Sequence, residues 1–259
     1  KKKSRNMAFR CDGLVYLVTG ATSGIGNACC RVLCDAGAKI FAVGRNETAG
    51  DALLQTLDRE RVTFHAADLR SKEACISAAD AAFQWQGRVD AFVHSAGIFP
   101  SASLSDTTDE MWSDCMRVHA DAFFYLSRHL APNMVKNGGG SLLAIASNYG
   151  MVGASDAAAY AASKAACIAL CKSMALEYAK HNVRVNCVCP GATETPMIAD
   201  NAKEYAKSSP SRELVQPLDI ANAVLYLTSP AGRMIRGIEL LVDGGEIAGF
   251  HQGQRTQQT

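Results

Sequence analysis

Leu14-Val15-Tyr16-Leu17-Val18 runs straight into Thr19-Gly20-Ala21-Thr22-Ser23-Gly24-Ile25-Gly26, and a helical pattern opens at once over residues 24–36. This strand, glycine turn and helix decide the fold. Glycines at such a junction let the backbone turn tightly and approach a pyrophosphate, whose charge is met by the free N–H groups at the helix start. Three glycines also occur in plain turns, so position carries the reading. Here the turn follows the first strand of a chain in which strands and helices alternate.

Further strand-like runs lie at 39–43, 62–66, 91–94, 141–146, 183–189 and 238–242. Between them, helical spacing covers roughly 24–36, 47–58, 71–86, 109–136, 157–181 and 217–228. Strands apolar on both faces, alternating with helices, predict an α/β fold: a Rossmann-type, doubly wound parallel sheet of about seven strands with helices on both faces. One domain over 14–245 is expected, between a flexible N-terminal tail at 1–13 and a C-terminal tail at 246–259. The long interruption from Pro190 to Pro217 reads as a mobile loop over a site.

Of the 259 residues 48% are apolar and 20% charged, with 26 basic against 25 acidic side chains. Disordered chains and basic nucleic-acid binders have neither balance, so no nucleic-acid partner is expected. No run of about 18 apolar residues exists to span a membrane. Lys1-Lys2-Lys3-Ser4-Arg5 is not followed by the apolar stretch of an export signal and reads as a solvated tail. None of the ten cysteines forms a CxxC pair, and zinc would need four converging ligands, so no metal site is expected. Buried, reduced thiols in a cytoplasmic protein are the expectation.

About 20 residues past a glycine loop of this kind, an acid holds the ribose 2′-hydroxyl of NAD, whereas an arginine accommodates the 2′-phosphate of NADP. The chain has Gly44-Arg45 there and no carboxylate, so NADP(H) is favoured, with NAD(H) left open because Arg45 also reads as a solvated residue. Tyr160 and Lys164 stand one turn apart on a helix face. A neighbouring ammonium stabilises a phenolate and is expected to pull the tyrosine pKa down toward the range useful for acid-base work. Ser147, at the carboxyl end of the fifth strand, offers a hydroxyl donor for a carbonyl oxygen gaining negative charge.

Together these residues resemble the classical short-chain dehydrogenase/reductase family over nearly the whole chain, about 14–245. The resemblance rests on the TGxxxGIG loop at 19–26, Asp68-Leu69, Ala96-Gly97, Ser147 thirteen residues before Tyr160, and the YxxxK pair Tyr160 and Lys164. Pro190-Gly191 and Val242-Asp243-Gly244-Gly245 complete it. It implies Tyr160 as general acid/base, Lys164 as ribose ligand and modulator of the tyrosine, and Ser147 as the group orienting the carbonyl. Its implied cofactor contacts are Gly20, Thr22, Ser23, Gly24, Ile25 and Gly26 in the loop, Arg45, Asp68 and Leu69 on the adenine side, and Ser95, Ala96 and Gly97 beyond the fourth strand. Tyr160 and Lys164 also belong to that set, and Pro190, Gly191, Thr193 and Thr195 meet the nicotinamide side.

Two positions depart from the family pattern. Ser95-Ala96-Gly97 stands where Asn-Ala-Gly is usual, and His119 stands where the catalytic tetrad has an asparagine. His119 is expected either to hold a relay water through a ring nitrogen or to sit inside a helix with no chemical part. The resulting expectation is an NADP(H)-dependent oxidoreductase acting on a neutral ketone or secondary alcohol, assembled as a homotetramer. A cofactor-binding scaffold with little turnover is the alternative. Ile98, Phe99, residues 148–153 and Met197 are the expected substrate walls, and Glu194 either repels anions or is a solvated loop residue.

Overall fold

The computed structural model describes residues 7–249; the basic segment 1–5 and the glutamine-rich end from 250 onward lie outside them. Seven parallel strands form one sheet in the order β3-β2-β1-β4-β5-β6-β7. They are β1 (Val15–Thr19), β2 (Lys39–Gly44), β3 (Val62–Ala66), β4 (Ala91–His94), β5 (Gly140–Ile145), β6 (Val183–Pro190) and β7 (Glu239–Val242). The order reverses between β1 and β4, which leaves a crevice at their carboxyl ends.

Period-two alternation assigns each strand residue to a face. Leu17, Phe41, Val43 and Phe92 enter one apolar layer, while Tyr16, Val18, Ile40 and Ala42 enter the other. The first layer is covered by α3 (Lys72–Gln86), α5 (Ala122–Lys136) and α6 (Ala158–Tyr178); the second by α1 (Gly24–Asp35), α2 (Glu47–Thr56) and α8 (Pro217–Thr228). All ten cysteines are buried and unpaired in these layers or beside them, serving as small apolar groups.

The packed unit overruns 14–245 at both ends. Cys11 is fully buried and its N–H donates to Ala36 O at 2.9 Å, so chain expected to be a flexible tail is already packed. At the other end Glu246 bonds back to the sheet crevice.

Two segments differ from the sequence expectation. The single helix expected over 109–136 is divided into α4 (Asp109–Met116) and α5 by a π-helical turn, Arg117–Asp121, in which Ala122 N–H reaches Arg117 O. The carbonyl of Val118 instead accepts a 2.9 Å hydrogen bond from the buried His94 ring, a long-range contact that periodicity cannot reveal. The segment 190–217, expected to be an irregular loop, holds a 3₁₀ stretch at Pro196–Asn201 and α7 (Ala202–Ser208). Its base is tied by a bridge between Thr193 and Val215.

Candidate active site

Gly20 and Gly24 have φ of 65° and 49°, a region L side chains rarely adopt. A Cβ on Gly20 would lie 2.8 Å from the Ala96 backbone, and one on Gly26 would overlap Gly20 O and stand 2.7 Å from Gly20 C. These close backbone crossings therefore need glycine. Ser23 precedes α1 without a side-chain capping bond, and Ser23, Gly24 and Ile25 line an open cleft. An uncapped helix start at a glycine cradle fits a dinucleotide pyrophosphate.

Across this cleft stand Ser95, Gly97, Ser147, Tyr160, Lys164, Pro190, Gly191, Thr193 and Thr195. Thr195 Cγ2 would lie 2.9 Å from a Cβ on Gly24, so the segment after β6 closes directly over the glycine loop. Ser147 is 6% exposed, and it and Tyr160 line the same cleft. Lys164, 5% exposed, donates to Ile145 O at 2.8 Å, and its Nζ lies 5.5 Å from the Tyr160 ring centroid.

The expected depression of the Tyr160 pKa is not found. Burial pushes it up to about 12, with the Ser147 hydroxyl opposing. Phe99 packs edge-on at 4.8 Å, His119 edge-on at 5.5 Å, and Tyr149 stands at 6.4 Å. Inside this aromatic wall burial disfavours the phenolate, and it likewise lowers the pKa of Lys164.

His119 is fully buried with both ring nitrogens occupied. Ile98 N–H donates to Nε2 at 3.0 Å, so Nδ1 carries the proton and donates to Ser163 Oγ at 2.8 Å. Ser163 in turn donates to Tyr160 O at 2.7 Å. His119 thus braces the 97–99 loop against the helix that carries Tyr160, with no ring nitrogen left for a relay water. Of the two roles open to this side chain, its contacts match the helix-interior one.

Sequence reading missed the companion residue. His94 Nε2–H donates to Val118 O, and its Nδ1 accepts from Thr19 Oγ1 at 2.9 Å. Thr19 Oγ1 then accepts from Ser95 N and Ala96 N at 3.1 and 3.2 Å, shaping the turn after β4. Burial first, and the Lys164 ammonium second, push the His94 pKa down to about 3 and that of His119 well below its usual value.

Both histidines fold as neutral bases, whereas in the unfolded chain they become cations below about pH 6.5. The unfolded state then binds more protons, so their contribution is complete above about pH 6.5 and is lost as pH falls, for His94 down to about 3 and for His119 in the same direction. The loss approaches about 1.4 kcal/mol per pH unit for each ring. The expected result is a Tm that declines between about pH 6.5 and 5 in thermal melts; a constant Tm would contradict neutral burial.

The adenine-side candidates stand outside the central cleft lining. The Thr22 side chain would meet a Cβ on Gly44 at 3.0 Å, placing it against the end of β2, where Arg45 is exposed. Asp68 pairs with Arg70 at 2.6 Å, and Arg70 also reaches Asp114 at 3.0 Å. Leu69 is 6% exposed in the core, so it contributes packing. Of the expected walls, Phe99, Asn148, Tyr149 and Met197 line the cleft, joined by Ile198 and by Tyr205 of α7. Tyr205 lies in the segment that reads as irregular and carries no motif signal. Glu194 is exposed and accepts from Gln216 at 2.8 Å, a loop contact away from the cleft.

The sheet order and glycine cradle are those of a Rossmann-type fold, and Ser147, Tyr160 and Lys164 line one cleft at the carboxyl ends of its strands. Residues 20–246 match the family described as enoyl-(acyl carrier protein) reductase. The chain is 36% identical over 239 residues to an acetoacetyl-CoA reductase of Acinetobacter sp. (strain RA3849), covering 89% of this chain and 96% of that protein. It is 33% identical over 247 residues to a cyclopentanol dehydrogenase of Comamonas testosteroni, covering 92% and 99%. A solved structure of a putative short-chain alcohol dehydrogenase from Sinorhizobium meliloti 1021 superposes with a TM-score of 0.86 at 28% identity, over 94% of this chain and all of that one. The protein belongs to the short-chain dehydrogenase/reductase family, oxidoreductases that interconvert alcohols and carbonyls with NAD(P).

Proposed function

We propose that the protein is an NADP(H)-dependent oxidoreductase of a neutral ketone/secondary alcohol pair, with Tyr160 as general acid/base. The observation that carries this is the convergence of Ser147, Tyr160 and Lys164 on the cleft that opens from the glycine cradle. The bound nicotinamide supplies or takes the hydride. In reduction, Tyr160 holds its proton at ordinary pH and delivers it to the substrate oxygen, while the Ser147 hydroxyl stabilises the charge developing there. Lys164, held by Ile145 O, presents its ammonium beside Gly97 and the tyrosine ring.

Phe99, Tyr149, Met197, Ile198 and Tyr205 make the substrate wall largely apolar, and Lys164 is the sole Lys or Arg among the cleft residues. A neutral ring or chain fits such a wall; the similarity to a cyclopentanol dehydrogenase supports an uncharged alcohol.

Arg45, exposed beside Thr22, is assigned to the 2′-phosphate of NADP. Fluorescence titration with both cofactors tests this assignment. Arg45→Ala is expected to weaken NADPH by about 10–100-fold, the value of one charged hydrogen-bonded contact, and NADH by less than about threefold. Equal losses would remove the assignment. The same reading carries a cytoplasmic homotetramer built through α4, α5 and α6. Light scattering that gave the mass of a single chain would contradict it.

A further inference from the structure

The last strand ends in Val242-Asp243-Gly244-Gly245-Glu246, and the turn is tightly determined. Asp243 is 7% exposed and accepts from Gly245 N at 2.9 Å and Ile247 N at 3.0 Å, while Gly244 and Gly245 adopt φ of 62° and 89°. The turn swings Glu246 back toward the cleft. Glu246 Oε1 accepts from Ala192 N at 3.0 Å, and Oε2 accepts from Asn148 Nδ2 at 2.6 Å. Gly191 makes room for this approach, since a Cβ there would lie 2.9 Å from the Glu246 carboxyl carbon.

A carboxylate only accepts hydrogen bonds, so it dictates which way the Asn148 amide faces. With Nδ2 turned to Glu246, Oδ1 faces Ser147, whose hydroxyl donates to it at 3.2 Å and accepts from Tyr149 N at 3.1 Å. Asn148 itself is 3% exposed, so water does not compete for the amide. We propose that Glu246 is a positioning residue which, acting through Asn148, holds the proton of the Ser147 hydroxyl on Asn148 Oδ1 and so restrains its donation to the substrate oxygen. This rests on the reading of Ser147 as the carbonyl-polarising group.

The test exchanges donors and acceptors along the chain of contacts. Glu246→Gln presents an NH₂ to the Asn148 NH₂ and forces the amide to reverse, so that a donor faces Ser147. Ser147 then accepts from the Asn148 amide, and its single proton, no longer held on Oδ1, is free for the substrate oxygen, so kcat for ketone reduction is expected to rise about tenfold, the value of one hydrogen bond, with the NADPH Kd within about twofold. Adding Asn148→Asp restores an acceptor toward Ser147 and lets the new side-chain amide at position 246 donate to the other carboxylate oxygen, so kcat should return to within about threefold. A purely structural role would give neither the rise nor the return. Wild-type or lowered kcat in E246Q, or a double variant that keeps the rate of the single one, overturns the proposal. Ser147→Ala, measured alongside, separates the two readings. If S147A retains wild-type turnover, the role of Ser147 itself falls and this proposal with it; if S147A is inactive while E246Q is unaffected, only the positioning by Glu246 falls.

Discussion

Tyr160→Phe is expected to lower ketone turnover by about 10²–10⁴-fold, the usual contribution of a positioned general acid, while NADPH binding stays within about twofold. The substitution removes only the hydroxyl and keeps the ring that packs against Phe99 and His119. Steady-state kinetics with a fluorescence titration separates the two effects; turnover within about threefold of wild type would sink the assignment. The raised pKa of about 12 adds a pH signature. Reduction needs the protonated phenol, so wild-type reduction should be flat through neutral pH and decline only in strong alkali. Oxidation needs the proton to leave and should gain as pH rises. Burial of the phenol is the leading cause of this order.

Gly26→Ala carries the second large effect. Its Cβ would overlap Gly20 O and stand 2.7 Å from Gly20 C, backbone atoms that cannot rotate aside. Either α1 moves away from the turn or the turn opens, and each outcome spoils the cradle. NADPH affinity is expected to fall by at least about 100-fold, and overpacking should cost about 1–3 kcal/mol of stability. Gly153→Ala is the control, since nothing lies within 4 Å of its Cβ. Fluorescence titration and thermal melts of both variants decide it: equal NADPH binding by G26A and G153A would show that the close crossing is not required.

How far the site is legible in the sequence differs residue by residue. The loop at 19–26 is legible because each glycine answers a local demand, a positive φ or a backbone crossing next to it in sequence. Tyr160 and Lys164 are legible because four residues make one helical turn. His119 is visible as a departure, but its role is not. Two alternative ring tautomers and several rotamers stay open until Ile98 N and Ser163 Oγ, from two other elements, take both nitrogens. Thr19 sits inside the quoted loop, yet its use as the acceptor for the turn after β4 depends on a partner strand 75 residues away. Glu246 reads as tail because the preceding two glycines look like an ending, whereas they form the turn that brings it home.

Sequence alone determined what short-range physics controls: the alternation that makes a parallel sheet, the glycine turn at the first helix, and the spacing that puts a tyrosine and a lysine on one face. Tertiary structure decided what depends on meetings between distant segments. The π-helical turn at Arg117–Asp121, the neutral state of His94 and His119, the high pKa of Tyr160, and the contact from Glu246 to Asn148 across 98 residues are of this kind. The physical reason is common to them. Burial and hydrogen-bond partnership are properties of the packed crevice, where desolvation sets which groups stay neutral and a fixed acceptor sets which way its neighbour turns.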